Sequence, residues 1–223
     1  MRGFWRREFP PACCDSGELR MPLPVAHSLA AGAIYAGLDA DGGRRGWKRL
    51  ALAVVIANSP DLDIVVGVLV GDPNRYHQGS SHSLAMVAAV SLLAAAIGAA
   101  GYRWPLRGRL KGAPANALMV ALLAASHIFL DTLTEDFRAP FGVPLLWPVW
   151  SGSVQLWPWF RHVDKLGGAI GPFTFVASLF TLHNLWAVTV EMMTLAPLLA
   201  AVLWWRRRQR QGAAAGSKGE TPR

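Results

Sequence analysis

Long apolar stretches alternate with short polar segments along most of the chain, and five of the stretches are candidates for entering or crossing a membrane. They lie at 23–38, 50–70, 84–101, 115–133 and 186–205. A transmembrane helix needs about 20 mainly apolar residues, and about 17 are tolerated. The third, fourth and fifth stretches meet this requirement, and the first is marginal. The pattern predicts an all-α membrane protein, a helical bundle with four or five spanning or re-entrant segments.

The second stretch is interrupted in its middle by Asn58-Ser-Pro-Asp61 and then by Asp63. Proline lacks a backbone N–H and cannot continue the hydrogen bonding of a helix interior. Carboxylates within an apolar span are costly unless they face a protein interior or a partner. This stretch is therefore predicted to be a broken or re-entrant helix rather than a straight span.

Composition agrees with a membrane location. Hydrophobic residues make up 52% of the chain, charged residues 16%, and the mean hydropathy is +0.28, whereas charged residues account for about 25% of a typical soluble domain. The net charge of +8 raises nucleic acid as a partner, but the basic residues fall between the apolar stretches. Cytoplasmic loops explain them better, and the run from Arg206 to Arg210 suits contact with anionic lipids. Membrane lipids, and no nucleic acid, are the predicted partners.

Basic residues follow the first, third and fifth stretches, so they share one side if the segments alternate across the membrane. The positive-inside rule makes that side cytoplasmic. Residues 1–20 are interpreted as a polar extension that need not be native, because Met21 is an alternative start. Residues 21–205 form the membrane-embedded domain, and residues 206–223 a basic, disordered cytoplasmic tail.

Seven histidines and aspartates lie where the apolar stretches begin, break or end, and on this topology all of them fall on the extracytoplasmic side. Ionisable groups at the edge of a span usually face a bundle interior and serve a function. Imidazoles and carboxylates are also ligands for divalent metal ions. Joint placement favours a metal site, because so many such groups are rarely needed for packing alone. The candidates are His27, Asp61, Asp63, His77, His82, His127 and Asp131.

Two of the local patterns have an ordinary structural alternative. His127 and Asp131 are four residues apart on a helix and can reach one ion, although a hydrogen-bonded pair is the commoner outcome. Asp61 and Asp63 can bind one ion or bridge two. The alternative for them is a helix N-cap followed by an acid near the positive end of the helix dipole.

The string from His77 to Ser83 places two histidines around a Gly-Ser turn that precedes an uncharged helix. Ser81 is the predicted N-cap of that helix. His82 can bind a metal or act as a general acid or base, and the alternative is a pair of histidines wetted at the membrane interface. His27 is the weakest single candidate, since an intramembrane histidine can simply bond a carbonyl.

Residues 136–185 form a long outer segment rich in Trp, Pro, Phe and Gly. Because tryptophan favours the membrane interface, the segment is either a cap beside the site or an anchoring loop. It holds His162, Asp164 and His183, for which a peripheral role is open. Glu191, within the fifth stretch, is expected to face the site or to pair with a polar group of another helix.

Taken in order, these strings resemble the YdjM-type family of membrane-bound, metal-dependent hydrolases of bacterial inner membranes, which is thought to be distantly similar to zinc-dependent phospholipase C. The resemblance covers about residues 22–148. It rests on His27, Pro60-Asp61-Leu-Asp63, His77-Gln-Gly-Ser-Ser-His82-Ser83, Ser126-His127-Ile-Phe-Leu-Asp131-Thr-Leu-Thr134 and Gly142-Val-Pro-Leu-Leu-Trp-Pro148. It implies a divalent metal, zinc first, at all seven candidate residues, and hydrolysis of a lipid phosphoester.

The chain departs from the family pattern in two places. Gln78 stands where the family usually has Arg, and Gln cannot supply a charge that clamps phosphate, although Arg75 lies nearby. Residues 135–141 form a longer connection, which is expected to reshape the entrance of the site.

Two functional hypotheses follow. In the first, a metal-dependent hydrolase acts on an ester or phosphoester of a lipid or lipid-linked substrate. Asp61 or Asp63 orients or deprotonates the attacking water, and His82 protonates the leaving group. In the second, the protein is a non-enzymatic metal carrier or assembly factor, and the broken second stretch is the feature that favours it.

Overall fold

A computed structural model of the chain describes residues 18–19, 24–39, 46–71, 76–102, 104, 111–136, 141–166 and 172–217. These ranges are predominantly helical, which confirms the predicted all-α class. A short antiparallel pair joins β1 (Glu18–Leu19) to β2 (Lys165–Leu166). Two 3-10 turns lie at Ser59–Asp61 and Ser80–His82. The helices are α1 (Pro24–Leu38), α2 (Gly46–Ala57), α3 (Leu62–Leu69), α4 (Leu84–Ala99), α5 (Ala113–Thr132), α6 (Pro172–Ser178) and α7 (Leu182–Ser217).

Several sequence features lie outside the described residues. They are residues 1–17 of the N-terminal extension and the arginines Arg44, Arg45, Arg75, Arg103, Arg107 and Arg109.

In the part of the chain that the structure describes, fewer helices meet the requirements of a membrane span than the apolar pattern predicts. Among the described residues, Ala113–Thr132 and Leu182–Gly212 are long and apolar enough to cross. The pair Gly46–Ala57 and Ser59–Leu69 qualifies only if its two bent parts count as one span. With 15 and 16 residues, α1 and α4 fall short of the length that a bilayer requires. The predicted count of four or five is therefore not confirmed, and two or three spans are supported.

The break in the second apolar stretch is confirmed. The axis bends by 54° between α2 and the 3-10 turn that leads into α3. Pro60 lies in the first turn after the break, where its missing N–H is tolerated. The Asn58 amide donates to Val54 O at 2.8 Å and to Ser28 Oγ at 3.3 Å, which ties the break to α1.

Small residues bring the helices close together around α5, which packs on α1, α2 and α4. Ala31, Ala53, Ala57 and Ala115 are fully buried in one core cluster. A Cβ on Gly98 would lie 2.8 Å from Ala113 Cα, so the close approach of α4 to α5 requires glycine there. Large apolar side chains point outward, as membrane helices require, and include Leu69, Leu92 and Met193.

Helix α7 packs along α1 and continues through Ser217. The prediction of a disordered tail from residue 206 is therefore wrong as far as Ser217. Arg, Gln and Ala all favour helix, and the Arg206 guanidinium donates to Gly37 O at 3.1 Å and to Asp39 O at 2.7 Å. These bonds attach α7, at Arg206, to the C-terminal end of α1.

Within the outer segment, residues 141–166 fold over the end of the bundle where α4 begins and α5 ends. Leu84 N donates to Leu145 O at 2.9 Å, and Leu156 N donates to Thr132 O at 2.7 Å. Phe160 is buried in a core cluster with Ala26. The segment thus caps this end of the bundle, while its tryptophans remain exposed at Trp147, Trp150, Trp157 and Trp159.

Candidate metal centre

The structure brings the seven predicted ligands together at one end of the bundle, with side chains no more than 14% exposed. They come from five parts of the chain: the first turn of α1, the start of α3, the loop before α4, the 3-10 turn before α4, and the last turns of α5. In that order they are His27; Asp61 and Asp63; His77; His82; His127 and Asp131.

Four of these side chains form an inner set of ligand atoms. Asp61 Oδ1 lies 3.4 Å from His82 Nε2 and 3.4 Å from His127 Nε2, and the two nitrogens are 3.3 Å apart. Asp131 Oδ2 lies 3.3 Å from His82 Nε2 and 3.2 Å from His127 Nε2. Ligand atoms about 2.0–2.1 Å from a tetrahedral zinc ion are about 3.3–3.4 Å from one another. Each of the five separations fits that spacing, and Asp61, His82 and His127 together are close enough to hold an ion.

Buried atoms that lack a hydrogen-bond partner, both in the inner set and beside it, also indicate an ion site. Asp131 Oδ2 and both ring nitrogens of His27 are buried and lack a hydrogen-bond partner, which is rare in native proteins. The His27 ring stacks on the His127 ring at a centroid distance of 3.8 Å, and His27 Nε2 lies 3.5 Å from Asp131 Oδ1. His27, His127 and Asp131 thus form a second set of atoms close enough to hold an ion.

A chain of hydrogen bonds fixes the proton on His82. Ser81 Oγ donates to Asp63 Oδ2 at 2.6 Å and lies 2.9 Å from His82 Nδ1. Because the hydroxyl has one proton, His82 Nδ1 must be the donor to Ser81. His82 Nε2 then presents its lone pair to the inner set, as metal-binding histidines do when a second partner orients them.

Ser83, not Ser81, caps α4. Its Oγ accepts from Met86 N at 3.2 Å, whereas Ser81 is committed to Asp63. The N-cap lies two residues later than predicted, because the 3-10 turn Ser80–His82 comes immediately before it.

Asp61 and Asp63 make different contacts in the site. Asp61 occupies the N-cap position of α3, yet its side chain makes no capping hydrogen bond and faces the inner set instead. Asp63 accepts from Ser81 and, at 3.0 Å, from His77 Nδ1. A carboxylate only accepts, so His77 also carries its proton on Nδ1. Asp63, His77 and His82 are nevertheless close enough to hold an ion.

The turn that carries His77 depends on glycine. A Cβ on Gly79 would lie 2.9 Å from Tyr76 O, and Gln78 before it adopts a left-handed backbone with φ 54°.

Burial lowers the pKa of His77, so its imidazole is neutral at neutral pH. The Nε2 atom of His77 is buried and has no hydrogen-bond partner, so its lone pair is available to an ion or to a substrate proton.

Glu191 supports the position of His27 from another helix. Its Oε2 accepts from Ala26 N at 3.0 Å, and its side chain is fully buried in α7. The first N–H groups of a helix lack partners within the helix, so this carboxylate satisfies one of them beside His27. Of the two expectations for Glu191, the pairing with another helix is the one observed.

A second group of ionisable residues, from the outer segment and from Glu135 just before it, shares no residue with the inner set. His162 Nδ1 lies 3.2 Å from Glu135 Oε2, and His162 Nε2 lies 3.2 Å from Asp164 Oδ1. His183 Nε2 donates to His162 O at 3.0 Å. Sequence reasoning missed Glu135 here, because no local pattern connects it to residues 27 or more positions away.

Comparison with known proteins identifies one family. The family model described as YdjM inner membrane protein matches residues 21–213, which include every residue of the inner set. No curated protein and no solved structure matches the chain.

Proposed function

Because the chain belongs to the YdjM inner membrane protein family and gathers a buried set of histidines and aspartates, we propose that it is a membrane-bound hydrolase dependent on a divalent metal, zinc first. The observation that carries the proposal is the inner set, in which five pairs of ligand atoms lie 3.2–3.4 Å apart, the spacing of atoms that share one zinc ion.

His82, His127 and Asp131 would hold the ion, which leaves a fourth position for water, and Asp61 lies beside that position. His27 and His77 flank them with unpartnered buried nitrogens and are available to a second ion. A bound divalent ion lowers the pKa of water and polarises an ester or phosphoester.

Solvent exposure favours Asp61 as the residue that accepts the proton of the attacking water. Its side chain is 14% exposed, against 3% for Asp131, so it lies nearest to arriving water. His82 has both ring nitrogens engaged, which favours a ligand over the predicted proton donor. Asp63 would act by positioning His82 through Ser81 and by holding His77.

The substrate we propose is an ester or phosphoester with an apolar lipid part. A cavity of about 210 Å³ lies beside the site, and Ser81 contributes to its wall. The rest of its lining is mainly apolar and includes Pro60, Val87 and Ile128. With exposed tryptophans around the same end of the bundle, this suits a reaction at the lipid interface, on the extracytoplasmic face by the positive-inside rule.

Metal content and turnover of the purified full chain test the proposal together. We expect bound zinc, and hydrolysis of short-chain ester or phosphoester lipid probes that a chelator abolishes. Asp131→Asn and His127→Gln should each lose metal and at least about 100-fold in rate. Asp39→Asn, a buried carboxylate at the opposite end of α1, is the matched control and should retain both. Metal-free protein with undiminished turnover would contradict the proposal.

The 54° break beside Asp61 favours one second candidate, a metal carrier, because transporters bind ions where helices are discontinuous. Zinc flux into liposomes without hydrolysis of any probe would support the carrier instead.

A further inference from the structure

A cavity of about 350 Å³ lies between α1, α2 and α7, at the end of the bundle remote from the metal centre. His27 and the C-terminal residue of α1, Leu38, are 11 residues apart, which is about 17 Å along a helix. The volume lies within the range of small-molecule and cofactor sites, about 300–1,000 Å³. Its walls are mainly apolar, formed by Gly32, Ala36, Leu50, Leu199 and Leu203.

Positive charge surrounds the mouth of this cavity. Arg207 and Arg210 line it and are exposed, one turn apart on α7. Asp39 also lines it, but its carboxylate lies 3.8 Å from the Arg49 guanidinium, so its charge is offset. The charge that faces an incoming ligand is therefore positive.

The mouth is held in shape by Arg206. Its guanidinium donates to Gly37 O and Asp39 O, which are carbonyls at the end of α1 that the helix cannot satisfy itself. Arg206 is thus structural, and it fixes the two exposed arginines beside the apolar walls. Arg208 differs from them, since its guanidinium stacks on Trp204 at 4.2 Å from the ring centroid.

An apolar cavity with two arginines at its mouth matches one class of ligand in a membrane, a lipid with an acyl chain below an anionic headgroup. A soluble anion has no apolar part to bury against the walls of the cavity, and a zwitterionic lipid is attracted less strongly by the two arginines. We propose that this cavity binds an anionic phospholipid, with one acyl chain against Ala36 and Leu203 and its phosphate on Arg207 and Arg210. The site is independent of the metal chemistry.

Native mass spectrometry of the full chain in detergent tests the site with palmitoyl-oleoyl phosphatidylglycerol, and with phosphatidylcholine of the same chains as the neutral reference. If each arginine contributes about fivefold, the protein prefers phosphatidylglycerol by about 25-fold. Arg207→Gln and Arg210→Gln should each lower that preference about fivefold. Arg208→Gln removes the same charge from the same helix and should change it less than about twofold.

The acyl chain is tested separately. Ala36→Leu, which narrows the cavity and keeps every charge, should weaken phosphatidylglycerol retention, and excess glycerol 3-phosphate should not displace the lipid. Equal retention of the two lipids, an Arg208→Gln loss equal to that of Arg207→Gln, or displacement by glycerol 3-phosphate each overturns the proposal. If Ala36→Leu does not fold, the arginine variants and the glycerol 3-phosphate competition decide.

Discussion

Replacing Ser81 by alanine tests whether the hydrogen-bond chain behind His82 tunes the metal centre. The change removes the 2.6 Å bond to Asp63 and the 2.9 Å contact with His82 Nδ1, but no proposed ligand. A hydrogen bond to a charged group contributes about 1.5–3 kcal/mol and a neutral one about 0.5–1.5 kcal/mol. In Ser81→Ala, part of this free energy is lost from folding. The rest is lost from metal binding, because His82 is no longer held in the tautomer that binds the ion.

We expect the zinc affinity of Ser81→Ala to fall about 10–100-fold, the range found when partners that orient metal ligands are removed. That corresponds to about 1.4–2.7 kcal/mol of binding free energy. Competition with a chromophoric chelator measures the affinity, and thermal unfolding of the metal-free protein measures stability in parallel.

Ser83→Ala is the matched control, two residues away. The Ser83 hydroxyl caps α4 and hydrogen-bonds to Ser80 O and Met86 N rather than to a candidate ligand. Its loss should therefore cost about 1 kcal/mol of stability and leave zinc affinity within about threefold. Unchanged affinity in Ser81→Ala, or an equal loss in Ser83→Ala, would refute the role assigned to Ser81.

Two further changes probe neighbouring contacts. Glu191→Ala should lower the free energy of unfolding by about 1–3 kcal/mol, because Ala26 N loses its buried acceptor. Glu191→Gln keeps an acceptor oxygen and should lower this free energy less. Equal losses of the two variants in chemical denaturation would argue against the contact. Burial lowers the pKa of His77 below its ordinary 6.5, so the unfolded chain takes up this proton first and the metal-free protein should lose stability as pH falls below about 6.5. His77→Gln should flatten this dependence between about pH 7 and 5, and an unchanged slope would contradict it.

Sequence alone determined the features that depend on neighbours along the chain. Apolar stretches, the break at Pro60 and the shared face of His127 and Asp131 all follow from the fixed period of a helix and from the missing N–H of proline. The candidate ligands were found in the same way, because ionisable groups are costly at the edges of apolar segments. The glycine in the histidine loop also has a local cause, its approach to Tyr76 O.

Only the tertiary structure decided how these pieces meet. His82 contacts His127, 45 positions away in the sequence, and Glu191 contacts Ala26, 165 positions away. Helical periodicity carries no information over sequence separations of this size. Sequence could not separate Ser81 from Ser83, because the end of a 3-10 turn depends on the packing of His82 rather than on its neighbours. The predicted number of spans is not confirmed for a related reason. Apolar composition limits where a helix can lie in a membrane, but the contacts at its ends determine where it stops.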